Sequence, residues 1–508
     1  MEGSTGTETA PKRAPRKGER LEVEIDSLAF GGRGVARMDG FVVFVAGGLP
    51  GDRVLAEVTK GKKRFAEART VELLRAGADR LPDRCVHGGE PCPGAPWQGL
   101  AYEQQLAEKQ TQVEDALRRI GGLDGFEMEP IVPAVEEWRY RNKLEYSFGA
   151  GGVGSADEGV ALGFHARGRW DLIVDVDDCK LASEPGNAAR NGVREWARME
   201  DITAYDGRAK RGVLRNLVVR EGRRTGQIQT RLVTTAERLP QPPVDLHTMI
   251  EGDSGSTDGP TGALGEERLH EELCGLKLEM SHGAFFQTNT EMAERLYEVA
   301  TEFAGLSGRE RVFDLFCGIG TIGLTMAGSA GEVWGLEIVP EAIDDAERNA
   351  RRNQIENAKF VAANARTGVR PLLDEAGKPD VVVVDPPRAG LSQKIVRRLI
   401  ECEAKKIVYV SCNPTTLAPN AAQLEEAGYK LRRVRPVDMF PQTPHIECVA
   451  LFEKVGPSAP AQAGASAVTG ESAAAGEGDV APEAATGDDA AAFGVAAAEG
   501  SAAAESGA

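Results

Sequence analysis

The chain has 508 residues, of which 41% are hydrophobic and 27% charged, and its formal net charge is −18. This length is too great for one compact core, so we expect about two to four domains. No apolar run approaches the ~20 residues that cross a membrane, and the first residues are polar and basic, unlike a secretory signal. Composition therefore excludes an integral membrane protein, and we expect a cytoplasmic monomer.

Both ends of the chain have the composition of disordered segments. Residues 1–18 are polar and basic, whereas residues 456–508 are rich in Ala and Gly and carry eight acidic residues without any Lys or Arg. Such tracts bury too little apolar surface to offset the entropy of ordering. Because the acidic tail contributes much of the net charge, the remaining chain can still present basic faces to a polyanion. A polar stretch at 251–265 is predicted to be an inserted loop.

The first folded unit is predicted at residues 19–77. Short apolar runs alternate there with Gly-rich turns such as GGRGVAR, the pattern of a small closed β-sheet. Four cations precede Phe65, namely Lys60, Lys62, Lys63 and Arg64. Clustered cations beside an aromatic ring suit single-stranded nucleic acid, although a solvated turn next to one core phenylalanine is the simpler interpretation of this turn alone.

Two further folded regions follow. Residues 78–280 are predicted to form a central, mostly β domain that contains an amphipathic helix at 102–120. From residue 281 to 455 strands alternate with helices, which predicts a Rossmann-like, parallel and doubly wound sheet. The fold class is therefore multidomain α/β. Ligands of such sheets bind at the carboxyl ends of the strands.

Polar residues stand where these parallel strands are predicted to end. The first strand runs into the glycine turn DLFCGIGT, whose backbone N–H groups can approach a ligand closely. Later strands end at Glu337, which suits ribose hydroxyls, at Asn364, which suits an adenine edge, and at Asp385. Any one of them alone would be interpreted as a strand-end cap. Together with the glycine turn, they predict a nucleotide-like cofactor at one edge.

The segment KKIVYVSCNPTTL places Cys412 just beyond a strand, at the same predicted edge as Asp385. Asn413 and Pro414 make the position a turn, which disfavours a buried and inert cysteine. The following helix N-terminus stabilises a thiolate, so we expect an exposed thiol with a low pKa. Glu447 directly precedes the last apolar strand and is the candidate base.

Several motifs carry a resemblance to a known family: FFQTN, DLFCG, DPPRAG, SCNP, PVDMFP and HIE. Over residues 20–455 the chain resembles the class I, S-adenosylmethionine-dependent RNA uridine-C5 methyltransferases, and residues 19–77 resemble the TRAM domain of one branch. The resemblance implies that Cys412 is the nucleophile and Glu447 the base. As S-adenosylmethionine-binding residues it implies Gln287, Phe316, Thr321, Glu337, Asn364 and Asp385. The implied partner is RNA, with ribosomal RNA expected before transfer RNA.

The eight cysteines are too scattered for a disulfide framework. Many members of the resembled family hold a [4Fe–4S] cluster through four cysteines, and thiolates suit such clusters. This chain offers Cys85, Cys92 and Cys179, but Ala95 stands where a third proximal cysteine is expected; His87 lies nearby. A cluster held by three thiolates and a degenerate site both remain open, and Ala95 favours the degenerate site.

Three other functions remain open at the level of sequence. A class I enzyme that methylates another base would need no nucleophilic cysteine, so Cys412 and Arg388 argue against it. A non-catalytic RNA-binding protein could retain the fold, but it would not need both Cys412 and Glu447. A structural iron–sulfur protein is disfavoured by Ala95.

Overall fold

The computed structural model describes residues 15–38, 40–151, 159–166, 169–235, 239–241, 247–251 and 260–455. The two predicted disordered ends lie outside these ranges apart from residues 15–18. Of the predicted loop at 251–265, residues 252–259 also lie outside them, but residues 260–264 form a strand rather than a loop. No helix in the described segments is long and apolar enough to span a membrane.

The N-terminal unit is a small barrel of six strands: β1 Arg20–Glu24, β2 Ser27–Leu28, β3 Gly34–Met38, β4 Phe41–Ala46, β5 Arg53–Gly61 and β6 Phe65–Arg75. The sheet order is β1-β5-β6-β4-β3-β2. Because β1 and β2 are two halves of one bent strand, the pairing of β1 with β5 and of β2 with β3 closes the sheet. The predicted barrel is thereby confirmed.

Two glycines allow the barrel to close around Ile25, which is fully buried at the bend between β1 and β2. A Cβ atom at Gly34 or Gly48 would lie 2.8 Å from the Ile25 side chain. Contacts this short are repulsive, and interiors packed at crystal density have no space into which Ile25 could move. The Gly-rich segments of this unit therefore serve packing at this end of the barrel.

A short hairpin and a long helix follow the barrel, namely β7 Val86–His87, β8 Glu90–Pro91 and α1 Tyr102–Asp115. The helix continues as a π-helical turn over Ala116–Ile120, so the predicted helix at 102–120 is confirmed. The domain prediction assigned this helix to the central domain. In the structure, however, Val113 and Leu117 pack in the core of the C-terminal sheet.

A buried ion pair anchors α1 to the C-terminal domain. Lys109 Nζ lies 2.5 Å from Asp438 Oδ1 and donates a further hydrogen bond to the Phe440 carbonyl at 3.0 Å. The Tyr102 hydroxyl donates to the other Asp438 oxygen at 2.9 Å. Lys109 and Asp438 are both fully buried, so each charge depends on the other for its compensation.

We expect Lys109→Met to destabilise the protein by about 3–5 kcal/mol, because it leaves the Asp438 carboxylate buried without its cation. The urea midpoint of the unfolding transition measures the loss. Lys405→Met is the matched control, since Lys405 also pairs with an aspartate, Asp380, but is exposed. The control should leave the midpoint unchanged, and an equal loss in both variants would contradict the importance of the buried pair.

The central domain is a seven-stranded sheet with one helix: β10 Lys143–Ala150, β11 Val160–Ala166, β12 Arg169–Asp175, α2 Glu184–Met199, β13 Leu214–Gly222, β14 Gln227–Thr234, β15 His247–Glu251 and β16 Pro260–Leu264. The strand order is β12-β11-β10-β13-β14-β15-β16. The Ser183 hydroxyl caps α2 by accepting from the Gly186 N–H at 2.9 Å. Trp196 and Val193 of α2 pack on the sheet.

The C-terminal domain begins with a hairpin and a helix, β17 Leu269–Leu273, β18 Leu276–Met280 and α3 Thr290–Ala304. Its main sheet comprises β9 Glu127–Met128, β19 Arg311–Leu315, β20 Glu332–Glu337, β21 Ala358–Ala362, β22 Val381–Val384, β23 Lys406–Ser411, β24 Tyr429–Val437 and β25 Glu447–Lys454. The remaining helices are α4 Thr321–Ala327, α5 Pro340–Arg352, α6 Ala365–Ala376, α7 Gln393–Glu401 and α8 Pro414–Glu426.

The strand order of this sheet is β21-β20-β19-β22-β23-β25-β24-β9. Strands β19 to β23 are parallel, and β25 lies antiparallel between β23 and β24. The doubly wound prediction is confirmed. The chain reverses its direction of winding between β19 and β22, and the carboxyl edge at such a switch point is where these sheets bind ligands.

Candidate active site

The turn after β19 is held against the end of β20. Phe316 has a φ of 69°, a left-handed conformation rare for a bulky residue, and its N–H donates to the Leu336 carbonyl at 2.8 Å. A Cβ atom at Gly318 would meet no heavy atom within 4 Å. The glycine turn therefore exposes its backbone to open space at the carboxyl edge, where a ligand can approach it.

Glu337 closes one side of this turn. Its carboxylate accepts from the N–H groups of Gly318 at 3.2 Å, Ile338 at 2.7 Å and Val339 at 3.1 Å. The next residue, Ile338, is 58% exposed. An oriented carboxylate beside exposed apolar surface can bind a ribose and an adjoining flat ring.

Two other predicted cofactor residues have structural contacts at the same edge. Asn364 caps α6, because its side-chain oxygen accepts from the Arg366 N–H at 2.9 Å. Thr321 opens α4 and its hydroxyl lies 3.0 Å from the Tyr297 hydroxyl. Both residues lie where the sequence predicted them, and their roles toward a cofactor stay predictions.

Gln287 and Asp385 meet at the switch point. The Gln287 amide lies 3.5 Å from an Asp385 carboxylate oxygen, and the Gln287 carbonyl accepts from the Asn142 amide at 2.9 Å. Burial, with a smaller contribution from the Asp314 charge, raises the pKa of Asp385 to about 7. Because burial disfavours the ionised form of this carboxyl group, a positively charged ligand beside it would stabilise the carboxylate.

Cys412 and Glu447 face each other across two antiparallel strands. Ser411 of β23 pairs with Cys448 of β25, so Cys412 and Glu447 are the next opposed positions. Directly opposed residues of antiparallel strands have Cβ atoms about 4.5–5.5 Å apart and side chains on one face. The structure thus brings the predicted nucleophile and the predicted base together at the carboxyl edge.

The electrostatics of this pair differ from the sequence-based prediction. Burial, together with the charges of Glu447 and Asp385, raises the pKa of Cys412, although the helix α8 begins two residues later. The predicted low pKa is therefore wrong, and the thiol is half-buried rather than exposed. The sequence predicts Glu447 near Cys412, but it could not reveal that the Glu447 carboxylate is buried directly across β23 and β25 from the thiol.

Burial also raises the pKa of Glu447 well above its usual value, and the Asp385 charge adds to the effect. Arg388 opposes both shifts, because its cation lowers the pKa of Cys412 and of Glu447. The Asn413 amide donates to the Arg388 carbonyl at 3.2 Å, which fixes the Arg388 loop against the Cys412 turn. Sequence reasoning missed this role for Arg388, although the motif DPPRAG placed it beside Asp385.

The structure also brings the predicted metal-binding cysteines together. Cys85, Cys92 and Ala95 form one buried cluster, and the backbone of Lys180 lies close to the Cys85 sulfur, so Cys179 is near the cluster. A [4Fe–4S] cluster bound by four thiolates does not fit these residues, because Ala95 is fully buried at the expected ligand position and offers no ligand atom. The prediction of a degenerate iron–sulfur site rests on Ala95 and stays a prediction.

The strand order of the C-terminal sheet and the ligand-binding edge define a class I methyltransferase fold. Two family models match the chain: "TRAM domain" over residues 16–71 and "tRNA (Uracil-5-)-methyltransferase" over residues 266–455.

Curated relatives match along nearly their full length. An uncharacterized RNA methyltransferase of Halalkalibacterium halodurans is 38% identical over 464 residues, which cover 87% of this chain and 99% of the relative. An uncharacterized RNA methyltransferase of Bacteroides thetaiotaomicron is 36% identical over 456 residues, which cover 84% and 100%. The chain therefore belongs to the TRAM-bearing family of RNA uracil-5 methyltransferases.

A solved structure is similar over the same range. The tRNA (uracil-54, C5)-methyltransferase of Pyrococcus abyssi, in complex with S-adenosyl-L-homocysteine, is 28% identical with a TM-score of 0.68. The match covers 85% of this chain and 100% of that chain. The likeness therefore extends over all three domains rather than over the methyltransferase sheet alone.

Proposed function

We propose that this protein methylates carbon 5 of a uridine in structured RNA, with Cys412 as nucleophile and Glu447 as base. The observation that carries the proposal is the opposition of these two side chains across β23 and β25, beside Asp385. A thiol and a carboxylate placed on one face can act on the same substrate ring. Methylation of an exocyclic amine would need neither group.

S-adenosylmethionine is the proposed methyl donor. The residues present fit it: Glu337 is oriented for the ribose, the glycine turn is open, and Asp385 favours a cation such as the sulfonium. Support comes from the Pyrococcus abyssi relative, which was solved with S-adenosyl-L-homocysteine. The proposed binding residues are Gln287, Phe316, Thr321, Glu337, Asn364 and Asp385.

Carbon 5 of uracil is a poor nucleophile, and the proposed chemistry activates it. The Cys412 thiolate adds to carbon 6, which forms a carbon–sulfur bond and moves the ring electrons into an enolate. When bound, S-adenosylmethionine would supply the electrophilic methyl group that carbon 5 of the enolate takes, with S-adenosyl-L-homocysteine as the leaving group. Glu447 then removes the proton from carbon 5, the electrons of that carbon–hydrogen bond re-form the double bond between carbons 5 and 6, and the carbon–sulfur bond breaks to release the thiolate.

The target base must leave its stack to reach Cys412, so the substrate is a loop uridine or one that is flipped out. The basic turn between β5 and β6 is exposed at Lys60, Lys62 and Lys63, while Phe65 packs edge-on against Phe44 at 5.7 Å. This turn is the proposed contact for the RNA backbone. We expect ribosomal RNA as the substrate, whereas the Pyrococcus abyssi relative is a transfer RNA methyltransferase.

The proposal is tested by incubating the purified full chain with S-adenosylmethionine and unmodified ribosomal or transfer RNA. The RNA is digested and its nucleosides are identified by mass spectrometry. 5-Methyluridine in one RNA supports the proposal and identifies the substrate class. A methylated adenosine, guanosine or cytidine would overturn the uridine chemistry, and no product with either RNA would favour a non-catalytic RNA-binding role.

The charge of Arg388 should influence how kcat/KM depends on pH. Cys412 and Glu447 both act in their deprotonated forms and both have raised pKa values, so kcat/KM should rise with pH through the neutral range. Arg388→Met removes the cation that opposes these increases, so both pKa values rise further. We expect the profile to move to higher pH. Below both pKa values, the rate should fall by about tenfold for each unit gained by either pKa, and therefore by about 100-fold when both gain one unit.

Arg388→Lys retains a cation and should restore most of the wild-type profile. A lower rate in Arg388→Met with an unchanged pH profile would contradict the electrostatic role, because loss of an RNA contact alone would raise KM without moving the profile.

The basic turn between β5 and β6 should contribute to the affinity for RNA and to its dependence on salt. Replacing Lys60, Lys62 and Lys63 with Ala should weaken RNA binding by about tenfold or more in ~0.1 M salt and reduce the slope of log K against log salt by about 2. Filter binding across a salt series measures both quantities. The matched control replaces three exposed cations at the opposite, amino edge of the C-terminal sheet, Arg309, Lys378 and Lys405. Equal weakening by the control would contradict a specific role for the turn.

A further inference from the structure

The hairpin of β7 and β8 has the geometry of a small metal-binding loop. Val86 pairs with Pro91 and His87 with Glu90, so the turn is only Gly88 and Gly89. Their φ angles are 57° and 82°. Positive φ at both turn positions gives the tightest hairpin, which only glycine and a few other residues adopt easily. The turn therefore fixes how close the two flanks of the hairpin lie.

Two cysteines and one histidine, residue types that commonly bind metals, lie on one face of this hairpin. Cys85 and His87 are two residues apart in extended backbone and therefore project from the same face. Cys85 is fully buried and His87 is 8% exposed, whereas Val86 between them is 45% exposed on the other face. The Cys92 N–H donates to the Cys85 carbonyl at 2.8 Å, so Cys92 lies opposite Cys85 on the two flanks of the hairpin. Cys92 is fully buried and lies on the same face as Cys85 and His87.

The spacing of these three side chains corresponds to ligands of one ion. The Cys85 sulfur lies 3.3 Å from Nε2 of His87, and the three ligand atoms all lie within 4.8 Å of one another. Zinc–sulfur bonds of about 2.3 Å and zinc–nitrogen bonds of about 2.0 Å at tetrahedral angles place ligand atoms about 3.5–3.8 Å apart. The thiolates of an iron–sulfur cubane bind four different irons and are spread further.

A fourth thiol lies next to the hairpin, outside the trio whose ligand atoms lie within 4.8 Å of one another. Cys179 is fully buried, and its loop is held rigidly because Asn187 of α2 accepts from the Cys179 N–H at 2.8 Å and donates to its carbonyl at 3.0 Å. The backbone of the next residue, Lys180, lies close to the Cys85 sulfur. Cys179 is thus the next thiol beyond the trio, while Ala95 lines the same cluster without a ligand atom.

We propose that Cys85, His87 and Cys92 bind a single Zn²⁺ ion in place of an iron–sulfur cluster, and that the Cys179 side chain, which lies just outside this trio, rotates inwards to complete a tetrahedral site. Three thiolates and one imidazole form a closed structural zinc site with no position left for substrate. The ion links the hairpin that follows the barrel to the loop before α2 in the central domain. It therefore stabilises the placement of the hairpin relative to the central domain, and its presence does not depend on the methylation proposal.

The test is metal analysis of the full chain, expressed with iron and zinc both supplied and purified without oxygen. We expect about one zinc per chain, without stoichiometric iron or the brown sulfide-to-iron absorption. His87→Ala and Cys92→Ser should lose the zinc, while the control Cys274→Ser, which alters a cysteine outside the cluster, should retain it. Stoichiometric iron with acid-labile sulfide would overturn the proposal, as would a folded wild-type chain without metal.

Because loss of zinc can unfold small metal sites, the wild-type chain provides a second measurement. Its zinc is removed with a chelator and replaced with Co²⁺, whose visible spectrum reports coordination. Intense tetrahedral bands with sulfur-to-cobalt charge transfer are expected. A weak octahedral spectrum without thiolate bands would overturn the assignment.

Discussion

Replacing Cys412 with Ala should abolish the proposed 5-methyluridine formation, with an expected loss of more than about 10⁴-fold in kcat. No other described side chain at the carboxyl edge offers a thiol opposite Glu447, since Cys448 is fully buried within β25. Without the carbon–sulfur bond, carbon 5 stays unreactive. Mass spectrometry of digested RNA measures the product, and binding of labelled S-adenosylmethionine should be unchanged.

Cys402→Ala is the matched control, because Cys402 is a buried cysteine at the end of α7, away from the carboxyl edge. It should retain activity. If Cys412→Ala kept more than a small fraction of the wild-type rate, the covalent mechanism would be wrong.

Replacing Glu447 with Gln should slow product formation by about 10²–10⁴-fold, the usual contribution of a general base. Glu447→Gln should block a later step of the reaction than Cys412→Ala does. The thiolate can still add to carbon 6, but the proton on carbon 5 cannot leave, so the chain stays bonded to the RNA after methyl transfer. Denaturing electrophoresis should show a protein–RNA adduct that Cys412→Ala/Glu447→Gln cannot form.

Glu447→Asp shortens the side chain but keeps the carboxylate, and it should release part of the adduct. Glu453→Gln, at the far end of the same strand, is the control and should turn over normally. Slow turnover of Glu447→Gln without any adduct would show that Glu447 acts before addition or only in packing.

The fold of the C-terminal domain could be predicted because its signals are local. Apolar runs such as Val381–Val384 end at polar residues, and each is followed by a helix, which is sufficient for a parallel doubly wound sheet. The place of β9 in that sheet could not be predicted, since only two residues pair with β24 across some 300 residues of chain. The strand at Pro260–Leu264 was missed because its polar, Gly-containing sequence favours a loop.

In the candidate site, too, some features could be predicted from the sequence and others could not. The turn at Cys412 was visible from its Asn-Pro sequence, and the strand ends at Glu337 and Asp385 followed from the apolar runs before them. The electrostatics could not be predicted, because they depend on the register between β23 and β25 and on the burial that follows from it. The link from Lys109 to Asp438 joins residues too distant in sequence for any local pattern to reveal.

The position of β25 has a consequence for how the chain is made. The last described strand inserts between β23 and β24 and carries Glu447 at its first position. Until it emerges from the ribosome, β23 and β24 have open edges that can pair with other chains. A nascent chain can therefore fold its barrel early, but it positions Glu447, the proposed base, and loses these aggregation-prone edges in the same late event. A truncation before β25 should yield an insoluble product and not a smaller, weaker methyltransferase.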